Sequence, residues 1–328
     1  MLRLLKQHWL IANWHCDFNY SVAATSTNSQ QLSPLTSRVG SLFIPFNHLS
    51  GNINKVATVN SHFGVWPTLK PIMTDAKTTD LASILLLASL HNRNVHVTSV
   101  TTKDDIKLIA LSKEKGLKVT CDIAVYALFL SQDDYPTCPA LPTAQDQKAL
   151  WDNLVIIDCF SVGSLPFQLA HDMKQDVNAA FGIADTLPLL ITAVCNGRLT
   201  IDDLKIRLHD NPKTIFDLHD QPTCSVEVEM DRSYKVQTGD AWSPFVGSTL
   251  KGTVQRVTFK GKTTALDGHI SSDGLYGIAA SVADPVATSV TSPQLRPESS
   301  HAVFATGQDE DGRHFVVPSR LFQNLPDK

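Results

Sequence analysis

Two periodicities alternate along the first two-thirds of this 328-residue chain. Short β-branched or apolar runs read as strands: CDFNYSVAA (16–24), SLFIPF (41–46), KPIMT (70–74), NVHVTSV (94–100), KVTCDIAV (118–125) and LVIIDCF (154–160). Longer amphipathic stretches separate them. Residues 80–92 place Leu81, Ile84, Leu85 and Ala88 on one helical face, and Thr102-Lys103-Asp104-Asp105 opens a helix that stops at Gly116. A similar box at Thr200-Ile201-Asp202-Asp203 opens a short helix. The helix before it, 183–196, is apolar on its inner side (LPLLITAV) and ends at Gly197. Strand and helix in alternation predict βα units around a parallel sheet, an α/β fold.

The pattern changes after Asn211-Pro212. CSVEVEM (224–230), TLKGTVQRVTFKG (249–261) and KTTALDG (262–268) alternate at period two with Gly and Asp at the turns, predicting a small appended β module. From about Asp284 the chain is Ser/Thr/Pro-rich and aperiodic, as a flexible linker is. Three regions follow: 1–220, built of βα units; 221–283, the β module; and 284–328, a linker or tail.

Composition narrows the function classes. The chain is 43% hydrophobic and 18% charged with a formal net charge of -4, and no run of Lys and Arg makes a local basic patch, so nucleic acid is not expected as a partner. The longest apolar run, LASILLLASL (81–90), is half the roughly 20 residues that span a bilayer, so no membrane insertion is expected. The six cysteines, Cys16, Cys121, Cys138, Cys159, Cys195 and Cys224, are scattered, form no CxxC pair and lie mostly in apolar segments, as reduced thiols of a cytoplasmic protein do. No glycine-rich phosphate loop and no nucleophile elbow is present.

In a barrel enzyme the strand ends carry the catalytic groups. Here the end of LVIIDCF leads into Ser161-Val162-Gly163-Ser164, and neither Gly163 nor Ser164 ionises near neutral pH. His96 reads as a hydrogen-bonded strand residue and Cys159 as buried filler. A one-metal site from Asp75 and Asp122, with Cys121 or His96, is the alternative that these residues leave open.

KPIMTDAK, NVHVTSVTTKDDIKLI, GLKVTCDIAVYALFLSQDD and ALWDNLVIIDCFSVGSLPF, in this order, resemble successive strand-to-helix passages of the dihydroorotase domains of multifunctional pyrimidine-biosynthesis proteins. The likeness covers residues 10–275 and includes the β module. It implies a (β/α)8 TIM-barrel-type amidohydrolase fold. Active members resemble other binuclear amidohydrolases: an HxH pair on the first strand, a carboxylated Lys bridging two zinc ions, His ligands after strands five and six, and an Asp after strand eight. Zinc lowers the pKa of bound water, imidazoles hold the metal, and the Asp takes the proton.

Residue by residue, the resemblance implies a degenerate site. The bridging Lys corresponds to Leu42, the next two His ligands to Asp75 and Ser99, a substrate-facing His to Tyr126, and the catalytic Asp to Gly163. No HxHxR motif occurs, and the likeness begins near the third strand, so the first strands are expected upstream in a longer polypeptide. The expectation is a catalytically inactive dihydroorotase-like domain, with no cofactor and no metal. It would act as spacer and association scaffold between carbamoyl-phosphate synthetase and aspartate carbamoyltransferase segments, and self-associate as a homo-oligomer. Two alternatives stand beside it: an active amidohydrolase with an altered metal site, and a module that senses a pyrimidine intermediate.

Overall fold

The computed structural model describes residue 17, residues 19–46, residue 49 and residues 55–175, 182–238, 242–270, 304–308 and 314–318. Six parallel strands form one sheet in sequence order: β1 (Ser21–Ala23), β2 (Ser41–Ile44), β3 (Ile72–Thr74), β4 (Val95–Val97), β5 (Val119–Ala124) and β6 (Cys159–Ser161). Helices cross between them: α1 (Lys55–Val65), α2 (Thr78–Leu90), α3 (Lys103–Glu114), then α4 (Tyr126–Phe129) and α5 (Ala144–Asp152) between β5 and β6. After β6 come α6 (Leu165–Asp172) and α7 (Ile183–Cys195). A last helical run begins with α8 (Ile201–Lys205), passes through a π-helical turn (Ile206–Asp210) and ends with α9 (Asn211–Ile215).

Strand alternation divides the sheet into two unlike faces. Register aligns Leu42, Ile72, Val95 and Val119, and the next row on the same side, Ile44, Thr74, Val97 and Cys121; all eight are buried. This is the apolar face of the core. The other face carries Ser41, Met73, His96, Thr120, Asp122 and Ser161, joined by hydrogen bonds that run from strand to strand.

Local polar chemistry sets the helix starts. Thr102 Oγ1 accepts from Asp105 N at the head of α3, and the buried Asp105 also accepts from Thr78 N at the first residue of α2, at 2.7 Å. The Asp105 carboxyl group thus caps α2 and also accepts from the Thr102 hydroxyl that caps α3, linking the two helix starts. Gly116, at φ +76°, ends the run after α3, and a reciprocal capping box at Thr200 and Asp203 opens α8.

One predicted strand is shortened. LVIIDCF was expected to be extended from 154 to 160, but Leu154–Ile156 is a 3₁₀ turn and the strand runs from Cys159 to Ser161. Side chains take the carbonyls that a neighbouring strand would otherwise pair. Arg207 donates to Leu154 O and Ile157 O, Lys113 to Ile156 O, and Asn211 to Asp158 O. The predicted strand at 16–24 is observed at Ser21–Ala23, and Cys16 lies outside the described residues.

The second sheet holds β7 (Ser225–Lys235), β8 (Thr249–Phe259), β9 (Lys262–Leu266) and β10 (His269–Ile270), all antiparallel, in the order β10-β9-β8-β7. Strand β8 packs on α7. Thr192 Oγ1 accepts from Lys251 N at 2.8 Å, and Gly252, at φ +81°, lies so close that a Cβ there would stand 2.2 Å from Ile191 Cγ2. The β7–β8 register slips between Glu229 and Ser233, opposite Gly252, as at a β-bulge. In the expected tail, β11 (Phe304–Gln308) pairs antiparallel with β12 (His314–Pro318); residues 284–303, 309–313 and 319–328 lie outside the described residues.

Gly252 gives a direct test of how the second sheet is seated. Gly252→Ala should lower stability by about 2–4 kcal/mol, from the left-handed backbone and the overlap with Ile191. Thermal denaturation measures it; an unchanged Tm would show that β8 does not press on α7.

Candidate functional site

The C-terminal ends of the parallel strands are where a barrel of this kind gathers its chemistry. Asp122, one row back on the polar face of β5, organises them. Its Oδ2 lies 3.0 Å from His96 Nε2, and its Oδ1 accepts from Ser161 Oγ at 2.6 Å and from Ser99 N at 3.0 Å. The other nitrogen of His96, Nδ1, lies 2.9 Å from Thr120 Oγ1, and the ring packs edge-on against Phe216. His96 and Asp122 are 1% and 6% exposed, so this carboxyl group is spent on protein partners from β4, the turn after it and β6. Its bond to Ser99 N also holds Ser99 in the left-handed region, at φ +54°.

The five positions singled out from sequence do not form one cluster. Asp75 follows β3, is partly buried, and accepts from Phe46 N at 2.8 Å. Ser99 follows β4 and meets Gly163, two residues past β6: a Cβ at Gly163 would lie 3.0 Å from Ser99 Oγ and 3.1 Å from Ala124 Cβ. Gly163 is itself left-handed, at φ +62°. Tyr126, 1% exposed at the start of α4, donates from its hydroxyl to Asp185 Oδ2 at 2.6 Å. Burial pushes this phenol strongly up from its usual range, and the adjacent Asp185 adds to the effect.

Leu42 requires a correction. It is 0% exposed and lies on the apolar face with Ile72 and Val95, away from Asp122. A lysine in its place would enter the core and not the strand ends. The β2 residue in register with Met73 and His96 is Phe43, another hydrocarbon. Cys121, suggested as a partner of Asp122, also faces away from it, with Sγ 3.5 Å from Ile156 O.

These positions do not fit a zinc centre. Of the five, only Asp75 carries a carboxylate; Ser99 contributes a hydroxyl; Gly163 has no side chain and little room for one. Among the described residues no three His, Cys, Asp or Glu side chains are grouped to hold a metal ion.

The cysteines are no better placed for chemistry. Burial, with Asp158 and Asp122 nearby, raises the Cys121 thiol well above its usual range, and burial with the same two carboxyl groups pushes Cys159 up to about 12. Neither carries an appreciable thiolate population at neutral pH.

No family model matches the chain. A solved structure described as the inactive dihydroorotase-like domain of the CAD-like multifunctional protein of Chaetomium thermophilum matches at a TM-score of 0.82 and 60% identity, over 85% of this chain and 82% of that one. The chain belongs to this family of dihydroorotase-like domains. The multifunctional protein pyrABCN of Emericella nidulans is 62% identical over 276 residues, which are 84% of this chain and 12% of that protein. The chain thus spans about an eighth of that relative's length. L-hydantoinase from Arthrobacter aurescens matches at a TM-score of 0.70 with 17% identity, over 83% of this chain and 75% of its own, and shows the fold alone. The fold is the amidohydrolase barrel type, represented among the described residues by six parallel strands.

Sequence reading marked Ser99 and Gly163, read His96 as a hydrogen-bonded strand residue and named it with Asp122 only as a candidate metal ligand, whereas the two bond to each other. It missed Ser161, Asp185 and Phe43. Period-two alternation in NVHVTSV and KVTCDIAV was the available signal, since it places His96, Thr120 and Asp122 on one face.

Asp122→Ala should destabilise the protein by about 2–4 kcal/mol, because it strands His96 Nε2, Ser99 N–H and the Ser161 hydroxyl, whereas Asp122→Asn, which keeps an acceptor oxygen, should cost less. Denaturant unfolding of both variants checks the order. In the native protein at pH 8, iodoacetamide should leave Cys121 and Cys159 unmodified and label them after denaturation; the read-out is peptide mass spectrometry.

Proposed function

We propose that this chain is a non-catalytic dihydroorotase-like domain that serves as spacer and association scaffold within a multifunctional protein of de novo pyrimidine synthesis. The observation that carries this reading is Gly163. At the strand end where the resemblance puts the catalytic acid, the backbone is left-handed, there is no side chain, and Ser99 and Ala124 occupy the space a Cβ would need. A water at such a site finds no carboxylate at residue 163 to take its proton, and among the described residues no group of three His, Cys, Asp or Glu side chains to hold a zinc ion that would acidify it.

The remaining polar groups support the same reading. Asp122, the strongest acceptor near the strand ends, is engaged by three donors from its own protein. The Tyr126 phenol is buried and faces another carboxyl group. What is kept is the core, and a large folded body separates neighbouring domains whether or not it catalyses. In this reading the chain works in the cytoplasm, beside synthetase and carbamoyltransferase segments of the same polypeptide, and associates with copies of itself. No helix among the described residues is long and apolar enough to cross a membrane.

Zinc analysis and an assay in both directions, dihydroorotate hydrolysis and carbamoyl aspartate cyclisation, test the reading. After dialysis against zinc the protein should retain far less than one equivalent and show no turnover. About two zinc ions per chain with measurable hydrolysis would overturn it. Light scattering should give a multiple of the 35.9 kDa chain mass; a monomer at all concentrations would remove self-association from the role.

A further inference from the structure

The connection between β7 and β8 reaches back from the second sheet to the C-terminal end of β5. Its contacts there converge on one oxygen. Tyr126 Oη, one turn beyond β5, donates to Asp185 Oδ2 at 2.6 Å, and Ser243 Oγ, in the connection, donates to the same Oδ2 at 2.8 Å. Ser243 Oγ also accepts from Phe245 N at 3.1 Å, which fixes the turn that follows. The Phe245 ring then meets the Tyr126 ring edge to face, with centroids 5.2 Å apart at 85°. Tyr135 adds a longer bond to Pro244 O, at 3.4 Å.

Burial separates this arrangement from ordinary surface contact. Tyr126 is 1% exposed, Phe245 6% and Asp185 9%. A buried carboxyl oxygen that receives two hydroxyl donors loses much if either leaves, since the remaining groups are then shut away from water without partners. The three residues come from three different elements: Tyr126 from α4, Asp185 from the first turn of α7 and Ser243 from the β7–β8 connection. Release of the connection would take Phe245 from the Tyr126 ring and one of two hydroxyl donors from Asp185 Oδ2.

The geometry points to a latch: Tyr126, Asp185 and Ser243 fasten the β7–β8 connection onto the start of α4 and the first turn of α7, just past the C-terminal end of β5. Tyr126 is a positioning residue in this device. The latch needs neither metal nor substrate, so it stands or falls separately from the proposed lack of catalysis.

Hydrogen–deuterium exchange on the whole chain tests it, comparing the parent with Tyr126→Phe, Ser243→Ala and the double variant. Tyr126→Phe keeps the ring against Phe245 and removes only the hydroxyl. The amides of residues 243 and 245–248 should exchange about tenfold faster in each single variant, the scale of one lost hydrogen bond, and faster still in the double variant. The amides of β4 and β5 should keep their parental rates. Unchanged exchange at 243 and 245–248 in the double variant would overturn the latch, as would an equal acceleration of every segment, which would show that these residues support the fold as a whole. A protein that proved to hold zinc would overturn the proposed function and leave this result intact.

Discussion

The Asp122 carboxyl group is the constraint on which the strand ends depend. Parallel strands this short pair through few backbone hydrogen bonds, and β4 and β6 each contain only three residues. Asp122 ties β5 to both through side chains and backbone, with His96 on one side and Ser161 on the other, and it fixes the turn after β4 through Ser99 N. A buried carboxyl group is costly unless its oxygens are satisfied. Here both are, so this carboxyl group is part of the frame.

The same economy governs the periphery. Asp105 caps α2 and accepts from the Thr102 hydroxyl at the head of α3, Lys113 joins Asp158 to the carbonyl of Ile156, and Arg207 reaches from the π-helical turn to Leu154 and Ile157 while its guanidinium lies 5.7 Å from the Phe160 ring. Arg93, 2% exposed, donates to the carbonyls of Phe63 and Trp66 at the end of α1 and to Pro67 O beyond it. These charged side chains answer backbone carbonyls and helix ends.

Much of this was legible in the sequence, and the misses have physical causes. Alternation in NVHVTSV and KVTCDIAV placed β4 and β5 because each strand has one apolar and one polar face, and the capping residues Thr102 and Thr200 placed α3 and α8 because a cap acts within three residues of itself. LVIIDCF was misread at its start because its carbonyls are claimed by Arg207 and Asn211, some fifty residues further on. Leu42 shows how sensitive a strand is to register: one residue separates it from Phe43, and that step exchanges the polar face for the core. Asp185 and Ser243 left no local trace, since they meet 58 residues apart in the chain.

Gly163 has a further consequence, for the placing of charge at this strand end. An aspartate introduced there meets a backbone at φ +62° and neighbours at 3.0 and 3.1 Å, so it fits only after Ser99 or Ala124 has moved. Ser99, for its part, is pinned by Asp122. An acid at this position carries two costs at once, a left-handed backbone and a shift of a few tenths of an ångström in Ser99 Oγ or Ala124 Cβ, so a charged group at this strand end competes with the packing that holds the strand end together.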